Sequence, residues 1–162
     1  MPATGHALAM LGVPRGVLGM VRLGTLSRRA AAIDALIRDE ERTVVCVVTL
    51  PEELPVNETI QLMDGLYVRL NIRAEHVLVN GILPEILDSD DRRLLDRVAS
   101  LVHAGPARKL VDAARWTDAL RDLQLRSIRE LRARLRAHFI EVAHMDGEGL
   151  QLVEQIADGL GR

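Results

Sequence analysis

The sequence predicts an α/β fold, a parallel sheet flanked by helices, on three observations. Residues 42–50 and 75–83 are apolar runs rich in β-branched residues, closed by Pro51 and Pro84. Continuous runs of that length mark strands buried on both faces of a helix-covered parallel sheet. Between them, Ile60, Met63, Leu66, Tyr67 and Leu70 recur at helical spacing over residues 57–70. Strand, helix and strand within about 40 residues make a βαβ unit, whose two strands must run parallel.

The flanking elements follow from local signals. Ser27 is placed to cap a helix that runs through residues 31–38. Glycines 12, 16, 19 and 24 weaken the preceding stretch, which reads as two short helical pieces. After Pro84, Ser89 can cap a helix over residues 90–102, which His103-Ala-Gly-Pro106 breaks. A long helix is expected over residues 107–137, with Leu120, Leu123, Ile128, Leu131 and Leu135 on one side. Residues 139–143 suit a third strand, and residues 147–160 a last amphipathic helix.

Composition narrows the function. The 162 residues suit a single domain, 1–162, and 48% hydrophobic with 27% charged residues argues against disorder. A formal charge of -2 provides no bulk field for nucleic acid or an anionic membrane. Six arginines between residues 121 and 136 could lie along phosphates. One Tyr, one Trp and one Phe leave little surface for stacking on bases, so the stripe reads as a solvated helix face and no nucleic-acid partner is expected. The lone Cys46 excludes an internal disulfide, makes a cytoplasmic setting the default, and reads as a buried inert thiol. His6, His76, His103, His138 and His144 show no metal-binding spacing, so no metal site is expected.

Three segments could carry chemistry. Thr4, Gly5 and His6 sit where a strand-to-helix turn would offer backbone N–H groups and a hydroxyl to an anion, although a helix cap at Thr4 on an untethered terminus explains them as well. Glu52, Glu53 and Glu58 follow the first strand at its carboxyl end, where open α/β sheets place ligands. The alternative is structural, with Asn57 as an N-cap and the carboxylates favoured by the helix dipole. Asn80 closes the second strand, where its amide could read a base edge or bond its own backbone at the turn before Gly81.

In this order, Pro2-Ala-Thr-Gly-His6, Pro51-Glu52 with Glu58-Thr59, and Leu78-Val-Asn80 resemble the motifs of the ArsA-type anion-transporting ATPases, which include the tail-anchored-protein targeting ATPases. The likeness covers residues 2 to 84 and, beyond them, only the helical pattern. It implies a P-loop-NTPase-like sheet, ATP as ligand and Mg²⁺ as cofactor of the intact enzyme, and coupling to anion transport or client targeting. It further implies that Thr4, Gly5 and His6 end the switch that senses the γ-phosphate, and that Glu52 and Asn80 bind the nucleotide, Asn80 on the adenine. Residues 7–38 fall where the family holds hydrophobic clients or metalloid ligands. The family's zinc-binding cysteines would fall near Arg93 and Asp96 and are absent, and residues 142–146 lack the family's proline loop.

The family's phosphate cradle needs a glycine-rich loop with two lysines, and Lys109 is the only lysine among 21 basic residues. Pro106 beside it lacks an N–H, and Leu110 offers magnesium no hydroxyl. The chain is therefore expected to be the C-terminal portion of such an ATPase, with its N-terminal strands missing. It would hold no catalytic residue of its own, bind no ATP or Mg²⁺ tightly, and self-associate or dimerise through exposed sheet. The resemblance also allows a membrane-protein partner or a hydrophobic client, although residues 7–38 are short for a large client groove. The rival reading is a non-catalytic α/β protein-interaction module.

Overall fold

A computed structural model describes residues 3–145 together with Val153, Glu154 and Ala157. Pro2 and all of the expected last helix except Val153, Glu154 and Ala157 lie outside the described residues. Three parallel strands form one sheet in the order β1 (Cys46–Thr49), β2 (His76–Ile82), β3 (His138–Ala143). The α/β class and the βαβ unit are as the sequence predicts. The crossover is α3 (Glu53–Gly65), prolonged by a π-helical turn over Leu66–Leu70 that ends on Asn71 in the left-handed conformation. Two helices, α4 (Ser89–Leu101) and α5 (Pro106–Arg134), connect β2 to β3. Ahead of the sheet stand α1 (Ala3–Met20) and α2 (Thr25–Arg38).

One face of the sheet carries the core. Val77 and Val79 of β2 are fully buried against Val56 and Ile60 of α3 and Ile128 and Leu131 of α5. A second cluster joins Val47 to Leu66, Leu70 and Ile72, with Leu8 and Leu11 of α1 and Ile37 of α2 packed on it. Residues paired in register share a face, so Val48, Leu78 and Ile140 lie together on the opposite side. There Val48 is 63% exposed and Ile140 36%. The expectation that the first strand is buried on both faces therefore fails: β1 is an edge strand whose residues alternate exposed and buried. Cys46 falls on the open side and is exposed, not buried.

Several helix starts also differ from the sequence reading. The stretch rich in glycine is one continuous helix, α1, with Pro14 inside it. Burial of Leu8 and Leu11 against the second cluster outweighs the weak propensities there. Gly24, at φ 105°, precedes α2 in place of a Ser27 cap, because the reversal after α1 needs a conformation that serine disfavours. Asp88 rather than Ser89 caps α4, accepting the N–H groups of Asp90 and Asp91 at 2.8 Å while Asp91 accepts its own. Helix α3 starts at Glu53, four residues before Asn57, since Pro55 is tolerated in a first turn where no intrahelical N–H is needed. The long helix stops at Arg134, before residue 137, and β3 begins at His138.

Candidate functional site

The carboxyl ends of β1 and β2 meet the start of α3 and the first turn of α1, and this junction creates a cavity of about 250 Å³. Thr4, Val48, Thr49, Pro55, Glu58 and Asn80 are among its lining residues. Thr4 reaches it because its Oγ1 donates to the Glu58 carbonyl oxygen at 3.3 Å, tying the head of α1 to α3. Thr4 and Asn80, far apart in the chain, thus share one cavity.

Glu58 and Thr59 of the second motif line it as well, whereas Gly5, His6 and Glu52 do not. Gly5 lines a neighbouring groove of about 550 Å³ between α1 and α3, with Leu8, Gln61, Gly65 and Arg69. His6 is exposed on α1. Glu52 precedes α3 without a capping bond from its side chain, and it lines a third groove of about 420 Å³ with Leu120, Leu123, Arg126 and Glu130. Thr4, Gly5 and His6 belong to the first helical turn, not to a turn leading out of a strand. Their backbone N–H groups are among those a helix leaves without intrahelical partners.

Asn80 is not the last residue of its strand. It stands in β2 opposite Val142, and the register then slips so that Ile82 faces Ala143. Gly81 is the extra residue, held at φ 79°. Bulges of this kind re-aim the neighbouring side chain. Sequence reasoning missed the group that holds the bulge. Gln124 of α5 is 7% exposed; its Oε1 accepts the Leu83 N–H at 2.9 Å and its Nε2 donates to the Gly81 carbonyl at 3.2 Å. Arg121, one turn earlier, donates through Nε to the Leu83 carbonyl at 3.1 Å. The available signal was a carboxamide four residues before Ile128 on the core face of a helix, a position that polar groups occupy only when bonded.

Charge at the rim of α5 is set by an ion pair. Arg92 of α4 bonds both carboxylate oxygens of Asp118, at 2.8 to 3.1 Å, and lies 3.6 Å from Glu85. The guanidinium holds the Asp118 carboxyl below the usual range, and Asp118 raises that of Arg92 in turn. Within α2, Asp34 is lowered likewise by its bonds from Arg38, one turn further on. Among the described residues no cluster of three His, Cys, Asp or Glu side chains is placed to hold a metal. Among the same residues no helix is long and apolar enough to cross a membrane.

The family model for anion-transporting ATPases matches residues 1–100. No curated protein matches the chain.

Proposed function

We propose that this chain, which belongs to the anion-transporting ATPase family, forms the nucleoside side and the phosphate-responsive helix of an ATPase whose phosphate cradle comes from outside residues 1–162. The cavity that unites Thr4 with Asn80 is the observation that carries the reading. Its volume falls just under the ~300–1,000 Å³ of pockets that enclose whole ligands, and suits a nucleoside better than a triphosphate. Asn80 offers both a donor and an acceptor to the edge of adenine. Thr4 and its neighbouring N–H groups face the phosphate side.

The residues at hand do not fit the phosphates themselves. Lys109 lies in the first turn of α5 beside Pro106 and Leu110, and forms no loop with a second lysine. No transfer step is therefore placed on this chain. When bound, Mg²⁺ neutralises charge on the transferring phosphoryl group, and its ligands would come with the cradle.

Helix α1 offers a route from the nucleotide to a partner. Its head lines the cavity, and its far end passes to α2 through a surface where Met20 is 80%, Leu23 88% and Leu26 57% exposed. Apolar exposure of that kind suits a hydrophobic client or a membrane-protein partner. The edge of β1, unpaired among the described residues, and the open Val48 face suit self-association. A reducing cytoplasmic setting agrees with the exposed single thiol of Cys46.

Calorimetric titration with ATP, with and without Mg²⁺, tests the reading. Weak, Mg²⁺-independent binding that Asn80→Ala abolishes is expected, with no turnover by the pure chain. Submicromolar affinity, or Mg²⁺-dependent hydrolysis abolished by Asn80→Ala, would refute it.

A further inference from the structure

Asn80 sits at an irregular place in an otherwise regular sheet. A parallel ladder alternates its side chains strictly, yet here one extra residue intervenes directly after Asn80. The backbone of such a bulge loses ladder partners, and each orphaned buried group carries a desolvation penalty. In this chain two part-buried groups beside the bulge, the Gly81 carbonyl and the Leu83 N–H, are satisfied by one side chain from another layer of the fold.

That side chain is Gln124, and its chemistry suits the task. A primary carboxamide is donor and acceptor at once, so it can close on a carbonyl and an N–H two residues apart. Its orientation is determined, because rotating the amide by half a turn would place donor against donor and acceptor against acceptor. Gln124 is 7% exposed and both bonds are part-buried, which limits competition from water.

We infer that Gln124 is the positioning residue for Asn80: its buried carboxamide pins the bulge at Gly81 and so sets the direction in which the Asn80 amide meets a nucleobase. The inference rests on the nucleobase role proposed for Asn80. It adds that base selectivity depends on α5, an element that contributes no residue lining the Asn80 cavity. Arg121 supports the same turn through the Leu83 carbonyl but leaves Gly81 untouched.

The test is the ratio of ATP to GTP affinity of the full chain without Mg²⁺, followed by ligand-detected NMR. Gln124→Met keeps the volume and removes both bonds. It should lower the wild-type preference for ATP by about three- to tenfold, the effect of losing one or two neutral hydrogen bonds. Gln124→Glu provides a readout that a purely structural role would not move. As a carboxylate it repels the Gly81 carbonyl, and as a protonated acid it can donate again, so its preference should recover between about pH 8 and about pH 6. The wild type, which has the same Glu52, Glu53, Arg126 and Glu130 around the adjoining groove, controls for their titration and should stay flat.

Asn80→Ala separates the two claims. Loss of preference in Asn80→Ala, with wild-type preference in folded Gln124→Met and in Gln124→Glu at both pH values, would overturn the positioning role alone. Undiminished preference in Asn80→Ala would remove the nucleobase reading and the inference with it. If Gln124→Met does not fold, the pH response of Gln124→Glu decides.

Discussion

Replacing Val79 and Val48 separately by alanine compares the two faces of the sheet. The two strand residues differ by 31 positions yet belong to neighbouring strands, and Val79 is fully buried whereas Val48 is 63% exposed. Val79→Ala removes two methyl groups, worth about 0.8 kcal/mol each on transfer. The floor formed by Val56, Ile60, Ile128 and Leu131 belongs to two helices and cannot collapse freely, so a cavity contribution brings the cost to about 2–3 kcal/mol. For a chain of this size that lowers the melting temperature by about 5–10 °C. Val48→Ala removes the same atoms, but their exposure leaves only about 0.5 kcal/mol. Urea unfolding followed by far-ultraviolet circular dichroism, at a concentration low enough for the monomer, reads both. Equal costs would mean that the Val48 face is covered, and would refute the assignment of the core to one face.

Self-association through the open face predicts that sedimentation coefficients of the wild type rise with concentration and that Val48→Lys suppresses the rise; a variant that sediments like the wild type would exclude this surface. Asp118 and Asp34 have lowered carboxyl pKa values in the fold, so the unfolded chain takes up protons first as the solution is acidified. Their stabilisation is complete above the ordinary aspartate value of about 3.9 and is lost as pH falls through their lowered folded values. Asp118→Asn should therefore flatten the acid side of a plot of melting temperature against pH, and an unchanged acid side would contradict the pairing with Arg92. Thr4→Val removes the bond to the Glu58 carbonyl and should speed hydrogen exchange at residues 7–10, the first amides of α1 with intrahelical partners, by about three- to tenfold; unaltered exchange would show that α1 is docked by other contacts.

Much of the fold could be read from the chain because it rests on local pattern. The apolar runs around Val47 and Val77 and the helical spacing from Ile60 to Leu70 specify strand, helix and strand wherever they occur, and that order compels parallel pairing. The motif residues Thr4, Glu52 and Asn80 were also visible, and the family model confirms the likeness over residues 1–100. Helix ends were less legible, since a backbone conformation such as that of Gly24, or the reciprocal bonding of Asp88 and Asp91, outcompeted the serine caps that composition suggested.

What periodicity could not supply was which surfaces meet. A run of valines has the same sequence whether one face or both are covered, and only the packing of α3 and α5 on the Val77 side exposes Val48 and Cys46 on the other. The same holds at the candidate site. Sequence named Thr4, Gly5, His6, Glu52 and Asn80 as one set, whereas the fold joins only Thr4 and Asn80 in one cavity and brings Gln124 to the bulge beside them. Local chemistry determines which conformations a segment prefers. Contacts between distant segments depend on burial and on backbone groups that must find partners, and those are settled only when the layers close on one another.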